Sequence, residues 1–309
     1  MYTHERFKDF NKSHCWQHEI RRLNIAKDML EAGLDLQAVK SLRIPDFDFE
    51  FVPKTDKERC RNIKQFIERH EWLGKMPIWV THRFVAKLKS TGQLAGVIIM
   101  ATPNSFSHLL GKENKDLEKL ISRGACISWS PKNLGSWLIM KSIHWMVQNT
   151  SFRSFTAYSD PEAKELGTIY QACNFYYLGQ QFGSGNQYLD PDNLNRGWFG
   201  DSGFADRSMI VRYAKKLGIE WQKEWYRMVG KKKNIRKVNW NIIPEEIAKQ
   251  LKQERARHKL RCQKRPATAK HKYTYILGRT KKETKELRKL FTKLNPNKAN
   301  LLYPHKRGE

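Results

Sequence analysis

A mixed α/β fold, an α+β core sheet with flanking helices, is what the sequence predicts, extended by a helical N-terminal segment and a long basic C-terminal tail. Three observations predict it. Leu94-Ala95-Gly96-Val97-Ile98-Ile99-Met100-Ala101 is a continuous apolar run within a stretch, Thr91 to Leu110, that holds no Asp, Glu, Lys or Arg. Such a run reads as a strand buried on both faces. Strand-like and helix-like segments then alternate from Ala125 to Leu178, which builds a sheet with helices packed on it. Finally, charge is segregated: residues 1–214 carry 29 basic and 23 acidic side chains, residues 215–309 carry 29 and 8, so +21 of the net +27 lies in the last 95 residues.

The elements follow in order. Ile20, Leu23, Ile25, Met29, Leu30, Leu34, Leu36, Val39 and Leu42 recur at three- and four-residue intervals around Gly33, predicting two helices with a glycine turn over 16–42. The part from Ala26 to Leu42 also has the rhythm of a helix-turn-helix, which many helical hairpins share. Between Pro45 and Pro53, Asp46-Phe47-Asp48-Phe49-Glu50-Phe51 alternates as a strand does. After the apolar run come a strand over 125–130, an apolar-rich helix over 137–147, a strand over 155–159 ending at Asp160-Pro161, a helix to about Cys173 and a strand over 175–178. Residues 183–203, rich in Gly, Asn and Asp, predict a loop excursion. Helices are predicted from about Ala205 to Leu217, after Pro244 and over 281–294, with a strand over 271–278. The domain plan is therefore a helical segment (1–75), a core (76–182) and a basic extension (183–309) whose 270–278 strand is available to return to the core sheet.

Hydrophobic residues at 39% and aromatics at 12% in 309 residues are enough for a real core and exclude disorder throughout. Cys15, Cys60, Cys126, Cys173 and Cys262 are odd in number, spread out and never in a C-x-x-C pair, so neither a disulfide framework nor a cysteine-based zinc site is suggested. No apolar run reaches 18 residues and the first residues lack the apolar stretch of a signal peptide, so a reducing cytoplasm and no membrane are expected. The basic excess points to a polyanion, DNA or RNA first, because each neutralised phosphate releases condensed counterions. Trp221, Trp225, Tyr226, Trp240, Tyr273 and Tyr275 are interleaved with the charges, able either to stack on bases or to pack a small core.

The segment Ser130-Pro131-Lys132-Asn133-Leu134-Gly135-Ser136 lies between a strand and a helix. A helix start presents unpaired N–H groups and partial positive charge, which suits a pyrophosphate; the alternative is a Ser/Asn-capped helix. Lys132-x-x-Gly135-Ser136-Trp137 resembles the pyrophosphate loop of acyl-CoA-dependent N-acyltransferases of the GNAT fold, with Trp137 where a second small residue is usual. The stretch from Tyr158 to Gly179 is more specific. Its Tyr158-x-Asp160-Pro161, then Gly167-Thr168-Ile169-Tyr170-Gln171-Ala172-x-Asn174, then an aromatic strand ending in Gly179, resemble the bacteriophage Mom family of DNA-modification proteins. The likeness spans about residues 80–180 in organisation, with its specific motifs in 130–179.

The resemblance implies a GNAT-like mixed central sheet, an acetyl-CoA or related acyl-CoA cofactor, double-stranded DNA as partner, and modification of adenine N6 to a carbamoylmethyl form that protects phage DNA from restriction in the host cytoplasm. It implies that Asp160 and Tyr170 match the family's essential Asp and Tyr, and that Ser136 matches its acyl-CoA-binding Ser, with Lys132, Asn133, Leu134 and Gly135 completing the cofactor loop. Iron is implied only through His82, which is followed by Arg83 where the family has Tyr.

On chemical grounds, an exocyclic aromatic amine is a weak nucleophile and needs proton removal. Asp160 suits a base or orienter, and Tyr170 a donor to a thiolate or oxyanion. Asp160-Pro161 equally suits an N-cap with Pro at N1, and Tyr170 a packing tyrosine. Tyr158, Gln171, Asn174 and Asn104 are candidate substrate contacts, the amides for a base edge. Asn104 is equally a turn former, His144 reads as structural, and Cys126 and Cys173 as small core residues. Reaching N6 in a duplex requires the base to leave the stack, so backbone contacts must offset that cost. Arg207, Arg212, Lys215, Lys231, Lys232, Lys233, Arg236, Lys237, Arg255 and Arg257 are the candidate contacts. The competing readings are an acyltransferase acting on a protein, polyamine or RNA amine, and a non-catalytic basic DNA-binding protein.

Overall fold

Gly33 ends the first helix. It lies in the left-handed region (φ 63°), and its N–H and that of Leu34 return to the Leu30 and Met29 carbonyls, closing α1 (Trp16–Ala32). Asp35 accepts from Ala38 N–H (2.7 Å) and starts α2 (Leu36–Ser41), a six-residue helix with no buried side chain, too short for the second helix of a helix-turn-helix. This computed structural model describes residues 7, 9–11, 13–77, 79–103, 105–181, 185–229 and 235–304. They fall into two compact units: Phe10–Gln181 with Ala269–Glu309, called here the sheet unit, and Phe182–Thr268 with Met1–Asp9, the basic unit.

In the sheet unit β1 (Phe47–Phe51) is followed by α3 (Lys57–His70), capped by Asp56, then by β2 (Val80–Leu88), β3 (Leu94–Ala101) and β4 (Glu118–Cys126). The uncharged run is β3, buried along almost its whole length. β4 lies earlier than the 125–130 strand expected, because Glu118 and Lys119 hide it. Glu118 is buried yet satisfied, accepting from Ser107 N–H (2.6 Å) and hydroxyl (2.7 Å) and from the Thr156 hydroxyl (3.1 Å). Lys119 lies 4.3 Å from the centre of the Phe152 ring. Paired in this way, charged residues occupy a strand that composition alone does not mark.

α4 (Leu134–Asn149) crosses to β5 (Ser154–Ser159). The helix expected from Asp160 to Cys173 is broken into a 3-10 turn at Pro161–Ala163, left-handed Lys164 and Gly167, and the short α5 (Thr168–Ala172) before β6 (Tyr176–Gln181). The break has a tertiary cause. A Cβ on Gly167 would stand 2.5 Å from Cε2 of Tyr273, whose hydroxyl donates to the Leu166 carbonyl.

The chain then forms the basic unit: β7 (Asn186–Leu189), β8 (Phe199–Gly200), α6 (Arg207–Lys216), β9 (Tyr226–Val229), β10 (Ile235–Val238), α7 (Glu245–Arg261) and β11 (Gln263–Pro266). Its sheets are β11-β7-β8 and β10-β9, so the predicted loop excursion contributes two short strands. It returns to the sheet unit as β12 (Lys270–Ile276), α8 (Lys281–Leu294) and α9 (Pro296–Ala299). The large sheet has the order β1-β2-β3-β4-β5-β12-β6, antiparallel throughout except for the parallel β4/β5 pair. The core over it runs from Phe47 through Ile99, Leu138, Ile143 and Met146 to Phe155 and Tyr273. The fold class expected, a mixed sheet with flanking helices, is the one found. No described helix is long and apolar enough to cross a membrane.

Candidate active site

The cleft begins where the parallel strands part. β4 and β5 pair from Glu118↔Ser154 to Ile121↔Ala157 and no further. At that level the β3/β4 register shifts, Ile99 facing Arg123 and Met100 facing Ile121, so Ser122 is bulged and β4 turns away from β5. Beyond the bulge β4 stays with β3 as far as Cys126, and β5 stays with β12 as far as Ser159. The space between their facing edges opens a cleft of about 1100 Å³, lined among others by Ser122, Gly124, Tyr158 and Asp160.

α4 starts at this cleft. Asn133 holds a left-handed conformation (φ 68°) with no side-chain capping bond, and the Ser136 hydroxyl donates back to the Asn133 carbonyl (3.0 Å), so the capped-helix alternative is not what forms. As at any helix start, the first N–H groups have no intrahelical acceptor. Gly135, Ser136, Lys132 and Asn133 all line the cleft. The loop is braced from below: Asp28 of α1, fully buried, accepts from the Ser128 hydroxyl (2.5 Å) and pairs with Arg69 of α3, while Arg21 donates to the Ser128 and Ser130 carbonyls (2.9 and 3.1 Å). Exposed Lys132 and an open helix start fit the phosphates of an acyl-CoA.

A carboxylate cluster lines the same cleft. Asp160 is 3% exposed; its Oδ2 lies 3.3 Å from Lys270 Nζ and its Oδ1 accepts from Glu162 N–H (3.0 Å). It is therefore a cap and a cleft residue at once. The Asp160 N–H in turn donates to Glu165 (3.3 Å). Burial, with Glu71 and Asp160 close by, pushes the Glu165 carboxyl up to about 8. Tyr170 packs its ring against Phe175 and Tyr273 (centroids 5.3 and 5.4 Å apart) and still lines the cleft. Burial and the Glu165 and Glu71 carboxyls push its hydroxyl well above the usual phenol range, so it stays a proton donor at neutral pH.

The model of the Mom protein family matches residues 59–196. Among solved structures the chain is similar to ribosomal-protein-S5-alanine acetyltransferase from Vibrio fischeri (12% identity, 47% of this chain and 87% of that one, TM-score 0.34). It is also similar to the putative acetyltransferase yncA from Salmonella typhimurium with acetyl-CoA (13%, 45% and 84%, 0.32) and to a Bacillus subtilis acetyltransferase in complex with CoA (10%, 75% and 99%, 0.32). No curated protein matches.

Within the matched residues the structure brings Asp160, Tyr170, Ser136, Lys132, Asn133, Gly135 and Tyr158 to one cleft. Others are not brought there. The Leu134 side chain is fully buried in the core. Gln171 donates its amide to the Leu166 carbonyl (3.0 Å), and Asn174 takes a left-handed turn (φ 57°) before β6; neither lines the cleft. Asn104 lies outside the described residues. The absent side chain of Gly135 makes room for Ile169, whose Cδ1 would stand 2.9 Å from a Cβ there. His82 does not fit a metal. It sits among Phe51, Phe84, Trp145 and Phe152, where burial, Lys119 and Arg83 push its imidazole down to about 4, and among the described residues it belongs to no group of three metal-ligating side chains. Glu165 is the residue missed: no motif marked it, and only the folding of the Asp160–Gly167 turn into the cleft reveals it.

Of the basic candidates, Arg207, Arg212 and Lys215 are exposed on α6, Arg257 is exposed and Arg255 half-buried on α7, and Lys237 is exposed on β10. Arg236 is on β10, its side chain outside the description, and Lys231, Lys232 and Lys233 lie outside the described residues. The interleaved aromatics pack rather than face solvent: Trp221 meets Trp225 (5.1 Å) and Tyr226 (5.5 Å), and Tyr273 is fully buried in the large sheet. In the sheet unit Arg279, Lys281, Lys285, Lys289 and Lys293 line a second groove along α8, beside His144 and Gln148 of α4.

Proposed function

We propose that the chain is an acyl-CoA-dependent DNA modification enzyme that acts on the N6 amine of adenine, in the manner of the Mom family. The observation that carries this is the convergence, in the cleft opened by the parted strands, of Asp160 and Tyr170, both within the residues that the family model matches, with the anion-suited start of α4. Acyl-CoA would supply an activated acyl carbon and a thiol leaving group. Lys132 and the N–H groups of Gly135 and Ser136 would hold its phosphates, and the unpaired edges of β4 and β5 offer hydrogen bonds to an extended arm. Glu165 takes the proton from the attacking amine. Asp160, held by Lys270 and the Glu162 N–H, orients that amine, and Tyr170, kept protonated, donates to the departing sulfur. The exposed basic side chains of α6, α7 and α8 offset the cost of extruding the base by contacts to the phosphate backbone.

One observation favours a second reading. Glu71, Asp160 and Glu165 together suit a cationic amine, so acyl transfer to a polyamine or a lysine is the runner-up. Mass analysis of nucleosides from DNA co-expressed with the protein decides. A new adenine adduct, whose mass distinguishes a simple acyl group from carbamoylmethyl, supports the first reading. Unmodified DNA with acyl-CoA turnover on spermidine supports the second.

A further inference from the structure

The basic unit contains a buried side-chain cluster that no part of the reaction uses. Asp190 directly follows β7, His258 is on the last turn of α7, and Cys262, four residues after His258, directly follows that helix. All three are buried, and their ligand atoms lie within 4.8 Å of one another. We propose that Asp190, His258 and Cys262 form a zinc site that clamps the end of α7 to the end of β7.

The donor set is the first argument. One carboxylate oxygen, one imidazole nitrogen and one sulfur are the ligands this borderline-soft dication prefers, and three protein ligands leave one tetrahedral position for water. His258 and Cys262, at positions i and i+4, project from one face of a helical turn. The His258 Nε2 to Asp190 Oδ2 distance is 3.1 Å, close to the roughly 3.2–3.8 Å between ligands around tetrahedral zinc.

Orientation is the second. The Tyr213 hydroxyl is 2.8 Å from His258 Nδ1 and fixes the ring so that Nε2 faces Asp190, as an outer partner of a metal-bound histidine does. Asp190 Oδ1 accepts from Asp192 N–H (2.9 Å), which leaves Oδ2 for the cluster. Charge is the third argument. Asp190 has His258 as its ion-pair partner and no lysine or arginine among the described residues. A dication bound by one carboxylate and one thiolate is neutral overall, which a buried site requires. Binding replaces the Cys262 thiol proton, which leaves to solvent, with a sulfur–zinc bond. A staple suits this place: among the described residues the apolar cluster that includes Cys262 is small, made of Tyr188, Phe204 and Cys262 with Phe199 against it.

The test uses the full chain without an affinity tag. Metal analysis after desalting is expected to find about one zinc per chain, and cobalt added to the metal-stripped protein to give a thiolate-to-cobalt charge-transfer band. Cys262→Ala, which keeps the apolar packing, should lose that band, and Asp190→Asn should lose the stoichiometric zinc. Tyr213→Phe should weaken binding roughly 10–100-fold. Zinc should raise the melting temperature of the stripped wild type and leave that of Cys262→Ala unchanged. A stripped wild-type chain that takes up no zinc, or a cobalt spectrum that is the same with and without Cys262, overturns the proposal.

Discussion

The sheet unit and the basic unit hold themselves together differently. In the first, a large core extends along a seven-stranded sheet from Phe47 to Tyr273, with a smaller cluster around Phe291, and its cleft is a seam between strands that the large core fixes in place. In the second, apolar side chains divide among small clusters around Ile210, Trp225 and Phe204, linked by polar contacts such as Lys216 with Glu254 (2.6 Å) and Tyr213 with His258. A site that must place reacting atoms needs the rigid seam. A surface that tracks a phosphate backbone needs charge, not a large core.

The largest effect should come from the seam. Glu165→Gln is expected to lower adduct formation by about 10²–10⁴-fold while DNA binding is kept. The wild-type rate should rise with pH through about 8, since a base must be deprotonated, and the variant's should not. A pH profile shared by both would remove Glu165 from the chemistry. Next comes the core contrast. Ile143 and Leu251 are each fully buried, in the sheet unit and the basic unit respectively. Ile143→Ala should cost toward the upper end of about 2–5 kcal/mol and Leu251→Ala toward the lower, because a small cluster collapses around the lost volume more readily. Hydrogen exchange read segment by segment measures both, and equal costs would erase the distinction.

His82 gives a smaller effect, confined to the sheet unit. Its imidazole, pushed down to about 4, is neutral in the folded chain, so the stability it contributes is present above the unfolded value near 6.5 and is lost as pH falls toward 4. The loss should be on the order of 1–3 kcal/mol in denaturant midpoints, and His82→Leu should flatten it with activity unchanged. If the variant instead loses activity together with bound iron, the aromatic packing is not this histidine's role. The smallest effect concerns charge. Residues 182–268 hold 20 basic and 9 acidic side chains, net +11, and residues 269–309 hold 12 and 3, net +9. Converting Arg207, Arg212 and Lys215 to Ala should reduce the slope of log affinity against log salt by about 2–3. Converting Lys281, Lys285 and Lys289 should do the same, and a slope that responds to only one set assigns the DNA to that unit.

Much of the fold was legible in the chain because local physics determined it. The uncharged run became β3, Gly33 closed α1, and the apolar helix after Ser136 became α4. The motif positions Asp160, Tyr170 and Ser136 were readable, and the structure brings them to one cleft. What sequence could not show depended on partners far along the chain. β4 was hidden because Glu118 and Lys119 are charged and only Ser107, Thr156 and Phe152 make their burial tolerable. The helix after Asp160 broke because the Tyr273 ring, more than a hundred residues later, fills the space at Gly167. Glu165 acquired its lifted carboxyl from burial and from Glu71, and Asp190, His258 and Cys262, three unremarkable residues in sequence, met only when α7 packed beside β7. Propensity and periodicity act over a few residues, so they determined the elements and the motif. Desolvation, ring packing and ligand convergence act across the folded chain, and those only the tertiary structure decided.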